Sequence, residues 1–312
     1  MERTTHIARL VRAAAAASVA VSITIGLIKL AAAIATGSVA ILASLVDSLT
    51  DTLASAITWM SVRIGQQPPD RQHRFGHGKA EALSALAQAV LVAGAALFVI
   101  AEAARRLLAP QPVSATAAGM AAMLAAILLT LALLAFQRRV VRLSGSQAIA
   151  ADSLHYRSDL LTNLAILAGL LAAERLGWLW LDPLLGVGVA LYLLAAVAGV
   201  GRRAIDELMD VELPRREREA IRGIVLARPD VAGLHDLRTR RSGRTVFIEM
   251  HLELDPEMTV RAAHAITEEI ERALRARYPE AEIAIHQEPA GLIEERRLDR
   301  IVRGLAQPSS DA

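Results

Sequence analysis

Apolar positions along the chain fall into six long runs, and the pattern changes near residue 210. A helix needs about 20 apolar residues to cross a bilayer. The runs predict spans near 13–35, 39–64, 82–108, 114–137, 147–173 and 180–204. Arg9 and Arg12 precede an Ala-rich stretch in the first, as in a signal peptide. That run is too long for one, contains Lys29 and leads straight into the second, so it reads as a retained helix. Lys29 is expected to snorkel toward the far interface.

Beyond 210 the periods shorten. Pro214 opens an amphipathic helix to about Arg228. Leu234–Arg240 and Thr245–Leu254 read as strands joined by Ser242-Gly243, a hairpin signal. In the second strand Val246, Ile248, Met250, Leu252 and Leu254 alternate with Phe247, Glu249, His251 and Glu253, so one face is buried and the other mostly polar. A helix from about Thr259 to Arg277 carries Ala263, Ile266, Ile270 and Leu274 as its apolar stripe, and Ala281–Gln287 reads as a third strand. The order αββαβ suits a three-stranded sheet covered by two helices. The expected fold is an α-helical integral membrane domain of six transmembrane helices plus a C-terminal α+β domain. The tail after about 293 has no clear pattern and is expected to fray.

Composition agrees with two solvents. Apolar residues make up 54%, aromatics only 3%, and the mean hydropathy is +0.39. Residues 1–209 hold 17 Lys/Arg and 12 Asp/Glu, and residues 210–312 hold 17 and 20. The net charge of +2 and the acidic C-terminal part disfavour a nucleic-acid partner. The chain has no Cys, which excludes disulfides, Cys-based zinc fingers and a Cys nucleophile. In a six-span arrangement one side collects Arg3, Arg9, Arg12, Arg63, Arg71, Arg74, Lys79, Arg138, Arg139 and Arg142. The other side has Arg105, Arg106 and Arg175. The excess of basic residues places the N-terminus and the C-terminal domain in the cytoplasm.

Ionisable residues inside spans are costly and mark function. Span two carries Asp47 and Asp51, four residues apart and therefore one above the other on one helix face. Ser44 and Ser55 continue that stripe. Span five repeats the spacing with His155 and Asp159, and Asn163 follows one turn on. Alone in hydrocarbon, paired carboxylates repel and take up protons; a bound cation removes both penalties. Two such helices face to face give three carboxylates and an imidazole, a set suited to Zn(II), Fe(II), Cd(II) or Mn(II). In the loop after span two, Asp70, His73 and His77 offer a further ligand set, although composition alone reads that loop as a solvated basic segment. In the C-terminal domain His251 and His286 leave the core face of their strands. His235 lies on the hairpin partner, His264 begins a helix and Glu288 follows His286. Of eight histidines only His6 falls outside these groups.

The motifs SVAILASLVDSLTD, HRFGHGKAEALSALAQ, ADSLHYRSDLLTN, HDLRTRRSG and IAIHQEP resemble those of the cation diffusion facilitator family, over about residues 7–290. The resemblance implies a homodimer in the bacterial inner membrane, with six spans per chain (1–209), a cytoplasmic ferredoxin-like, metallochaperone-like domain for metal binding and dimerisation (210–292), and a tail (293–312). It implies exchange of divalent metal for protons. It makes Asp47, Asp51, His155 and Asp159 the intramembrane transport site. It also turns the Asp70, His73, His77 loop into a second site. His235, His251, His264 and His286 become a binuclear cytoplasmic cluster that helps to hold the dimer. Glu288 stands where the family pattern has Asp. Lys79 and Asp210 match a charge pair near the dimer's membrane surface. Asp at the first tetrad position is expected to widen acceptance from zinc to iron and cadmium.

The expected function is therefore efflux of Zn(II), Fe(II) or Cd(II) by alternating access, with protons as counter-ion and membrane lipids as surroundings. Metal ligands must be deprotonated, so protons compete for the site. His155 is the expected proton carrier, because imidazole ordinarily titrates near pH ~6.5. An intramembrane metalloenzyme would need a general base and an open coordination position. The chain has no HExxH. A metal sensor that does not transport is the other alternative. Neither is favoured, and the chain is not expected to be an enzyme.

Overall fold

A computed structural model of the chain describes residues 2–36, 39–108, 117–176 and 180–291. The expected tail, 293–312, lies outside the described residues. The chain divides into two compact units, the first made of the chain to Val211 with Ser242–Arg244 and the second of Glu212–Arg241 with the chain from Thr245.

The first unit holds six long helices: α1 Glu2–Thr36, α2 Val39–Gly65, α3 Lys79–Leu108, α4 Ala117–Ser144, α5 Gln147–Leu176 and α6 Leu181–Leu208. Several outrun the apolar stretches that announced them, notably at the start of α1 and the ends of α4 and α6. Hydropathy marks the depth of hydrocarbon, whereas backbone hydrogen bonding continues the helix into the polar zone. Among the described residues four stretches are long and apolar enough to cross a membrane: His6–Ile34, Lys79–Arg105, Met120–Ser144 and Pro183–Leu208. α2 and α5 are the two long helices that carry the sequence-predicted ligands. α5 contacts each of the other five, and Asp152 on it is fully buried.

Small residues make the close packing possible. Ala85, Ala89, Val92 and Ala96 of α3 meet Ala190, Leu193, Val197 and Val200 of α6, each set at helical spacing. Short side chains let helices approach where lipid gives no hydrophobic drive. Leu27, Leu53, Val90, Phe98 and Leu128 point outward, as a lipid-facing surface requires.

The second unit contains α7 Arg215–Leu226, β1 Gly233–Ser242, β2 Thr245–Leu254, α8 Val260–Arg277 and β3 Ala281–Pro289. The sheet order is β1-β2-β3. β1 and β2 are joined by only two residues, which an antiparallel pair allows. Ser242 belongs to β1, so the turn is Gly243-Arg244, one residue later than the sequence signal, with Gly243 at φ +58°. β2 and β3 are parallel, with His251 opposite His286 and Glu253 opposite Glu288. A parallel pair needs a crossover, which α8 supplies. Thr259 caps α8 by accepting the Ala262 N–H at 3.3 Å. Ile221, Val225, Ile248, Met250, Leu252, Ile270 and Leu274 form the core between helices and sheet.

Candidate metal centres

Among the described residues three groups of ligand-bearing side chains converge, and each has its ligand atoms within 4.8 Å of one another: Asp51, His155 and Asp159; Asp70, His73 and His77; and His235, His251 and Glu288.

The first lies inside the helical bundle. α5 places His155 and Asp159 on one face, and α2 brings Asp51 against them. His155 Nε2 is 3.2 Å from Asp51 Oδ1 and 3.7 Å from Asp159 Oδ2. One imidazole nitrogen therefore faces two carboxylates from two helices, with at most one proton to share. A divalent ion among the three satisfies all of them. A cavity of about 410 Å³ opens here, lined by these residues together with Ser48, Asn163 and Lys29. Asp47 lies on α2 one turn before Asp51, and its side chain is outside the described residues. Lys29 was expected at the far interface, yet it lines the same cavity as the acids.

Behind His155 runs a buried polar network that sequence reasoning missed. Asp152, fully buried, accepts from Ser18 Oγ of α1 and from Gln137 Nε2 of α4, both at 2.6 Å. Gln137 Nε2 also donates to Ser18 Oγ at 2.9 Å. The Tyr156 hydroxyl donates to the Ser18 carbonyl at 2.9 Å and stands 2.8 Å from Ser55 Oγ of α2. Four helices are thereby tied around the residues adjoining His155. The available signal was Asp152 itself, a second acid beside Asp159 within ADSLHYRSD.

The second group sits in the α2–α3 loop. Asp70 spans two histidines: Oδ1 is 3.4 Å from His73 Nδ1 and Oδ2 is 3.3 Å from His77 Nε2. The backbone N–H of His73 donates to Asp70 Oδ1 at 2.6 Å, and that of Gln72 does so at 2.8 Å. These bonds, led by that from His73, hold the Asp70 carboxyl below its ordinary 3.8 against a smaller opposing effect of desolvation. Gly76, at φ +80°, makes the turn that returns His77 to Asp70. Close by, Lys79 Nζ donates to Asp210 Oδ2 at 2.9 Å and to the Leu208 carbonyl at 3.3 Å, so the charge pair named from sequence is formed.

The third group lies on the outer face of the sheet. Glu288 is only 8% exposed although it is charged. Its Oε1 is 2.5 Å from His251 Nδ1, and its Oε2 is 3.2 Å from His235 Nε2. The longer arm of Glu therefore reaches both β1 and β2 from β3. Glu253, unremarked as a ligand partner in the sequence, lies 2.8 Å from His235 Nδ1 and fixes that ring. Its period-two spacing from His251 was the signal. His286 is exposed, its Nε2 3.6 Å from Glu288 Oε1, with its ring 4.8 Å from that of His251. His264 is not brought into the group. It is exposed on α8, 3.6 Å from Glu268 one turn on.

Comparison with known proteins gives a concordant picture. Residues 15–209 match the cation efflux transmembrane domain, and residues 213–290 match the cation efflux protein cytoplasmic domain. The chain is 44% identical to the cation-efflux pump FieF of Pectobacterium atrosepticum over 296 residues, 95% of this chain and 98% of the relative. It is 45% identical to FieF of Yersinia pestis over 290 residues, 93% and 96% of the two chains. The metal-bound C-terminal domain of the CzcD transporter from Thermotoga maritima is 34% identical, covering 26% of this chain and all of that one, at a TM-score of 0.24. The chain is a multi-pass membrane protein, and it belongs to the cation diffusion facilitator, or cation efflux, family.

Proposed function

We propose that this protein exports divalent transition-metal ions, Zn(II), Fe(II) or Cd(II), from the cytoplasm in exchange for protons. It works as a homodimer in the bacterial inner membrane, with its N-terminus and second unit on the cytoplasmic side. The observation that carries this reading is the meeting of Asp51, His155 and Asp159 within ligand distance of one another inside a helical bundle. The FieF relatives, named as cation-efflux pumps, share nearly the whole length of the chain.

The mechanism follows from the ligand chemistry. Asp47, Asp51 and Asp159 as carboxylates, with neutral His155, take the ion from the cytoplasm. The ligand set is split between α2 and α5, so a shift of one helix against the other opens the site outward and loosens the coordination. Protons then take the ligand positions on the imidazole and carboxylates, because a protonated ligand cannot hold the metal. An inward proton gradient thus favours release outside and rebinding inside. Asp70, His73 and His77 form a second site in the cytoplasmic loop. His235, His251 and Glu288 form a third, with His286 and the more distant His264 available for a further ion. Metal at the third site favours the closed dimer and couples flux to cytoplasmic metal.

Competitive uptake of Zn(II), Fe(II), Cd(II) and Mn(II) into proteoliposomes under an imposed pH gradient tests the proposal. The expected result is gradient-driven uptake of the first three. Metal binding without uptake would contradict it and favour a sensor.

A further inference from the structure

Lys29 shares a helix face with Ser22 and Ile25, and all three line the cavity that holds Asp51, His155 and Asp159. α1 lies close to α2 at this level: a Cβ built at Gly26 would stand 4.0 Å from Ser48 Cβ. Lys29 is less than one turn beyond that contact. A lysine in a span is costly unless it meets anions or water. Here it faces the cavity of the acids.

Its charge enters the same balance as theirs. Asp51 and Asp159 bring two negative charges to the lining, and Lys29 brings one positive. A divalent ion in the cavity is therefore attracted by the carboxylates and repelled by the ammonium. In a medium less polarisable than water, an ammonium repels a dication appreciably even at a distance on the order of 10 Å.

We propose that Lys29 is a tethered competitor of the transported ion. It weakens divalent-metal binding at the bundle site, and its ammonium compensates the carboxylates once the metal has left. A site that binds too tightly cannot release its cargo, so a built-in cation sets the affinity in a range that permits turnover. This inference rests on the transport reading above.

The test is calorimetric titration of Cd(II) into the full-length protein in detergent. The background carries His73→Ala, His77→Ala, His235→Ala and His251→Ala, so that the bundle site dominates. Lys29→Gln should lower the Kd about tenfold, and Lys29→Arg, which restores the charge, should bring it back toward the parent value. In proteoliposomes Lys29→Gln should lower KM and kcat together, the signature of tighter binding and slower release. An unchanged or raised Kd in Lys29→Gln would overturn the proposal. Lys29→Met provides the same comparison should the Gln variant not be recovered folded. Asp159→Ala in the same titration separates the two ideas. Loss of binding in Asp159→Ala with an unchanged Kd in Lys29→Gln overturns only the role of the lysine. Binding that survives Asp159→Ala overturns the transport-site reading as well.

Discussion

His155 Nε2 on α5 stands 3.2 Å from Asp51 Oδ1 on α2. The two residues are 104 positions apart in sequence, and the helices bearing them meet inside the bundle. His155 therefore reports on both halves of the site: Asp159 is fixed to it by the helix repeat, and Asp51 only by helix packing. Any movement of α2 against α5 changes the coordination of an ion between them.

Asp51→Asn keeps the side-chain volume and removes the charge. Loss of partners outside the coordination shell of a metal typically costs 10–100-fold in affinity. Replacing a ligand should cost at least that, so Cd(II) affinity at the bundle site should fall by about 100-fold or more while the elution volume of the purified protein is unchanged. Calorimetry on the loop- and cytoplasm-deficient background measures it.

Asp152→Ala should destabilise the helical unit without removing a ligand. It leaves Ser18 Oγ and Gln137 Nε2 without their shared acceptor. A buried unsatisfied group costs about 1–3 kcal/mol. The thermal unfolding midpoint in detergent should drop in Asp152→Ala and drop less in Asp152→Asn, whose amide oxygen still accepts both bonds.

The sequence showed more of this site than of its surroundings. The i, i+4 pairing of His155 with Asp159 follows from helix geometry and needed no structure. The encounter with Asp51 was a family-level expectation, because no periodicity states which helices pack together. Asp152 was invisible as a hub: its partners Ser18 and Gln137 are ordinary polar residues on distant helices, and only packing aligns them. The place of Lys29 in the cavity lining was not legible, because the snorkelling rule considers lipid and not an internal cavity. In the second unit, alternation along β2 identified its two faces correctly. It could not reveal that Glu288 of β3 is buried against histidines of both other strands, since that depends on the parallel register of His251 with His286.

The Asp70 carboxylate of the loop group should stay charged at mildly acid pH. Hydrogen bonds from the His73 and Gln72 backbone hold Asp70 below its ordinary 3.8. A depressed carboxylate contributes stability to the turn above its unfolded value and loses it as pH falls through the lower folded value. At mildly acid pH Asp70 therefore remains charged. Metal binding to the loop should weaken as pH falls, because its ligands must be deprotonated to hold the ion. The titration midpoint read from the carboxyl carbon of labelled Asp70 should lie below 3.8. A midpoint above that value would contradict the turn geometry.

Glu288→Ala should abolish metal-dependent stabilisation of the second unit. Its carboxylate contacts both His235 and His251. A ligand that binds only the folded state at 100 times its Kd stabilises by about 2.7 kcal/mol. The full-length protein should gain a corresponding rise in the melting of its cytoplasmic unit with Zn(II), and Glu288→Ala should not. Glu288→Asp should retain part of the rise, because the shorter arm withdraws from one of the two imidazoles.

Zinc uptake into proteoliposomes that carry the cytoplasmic face outward and an acidic lumen measures the central claim most directly, with Asp159→Ala compared against the parent protein. The account predicts rapid, gradient-dependent accumulation by the parent and none above the protein-free leak by the variant, both proteins eluting alike. Accumulation by Asp159→Ala at the parental rate would contradict it.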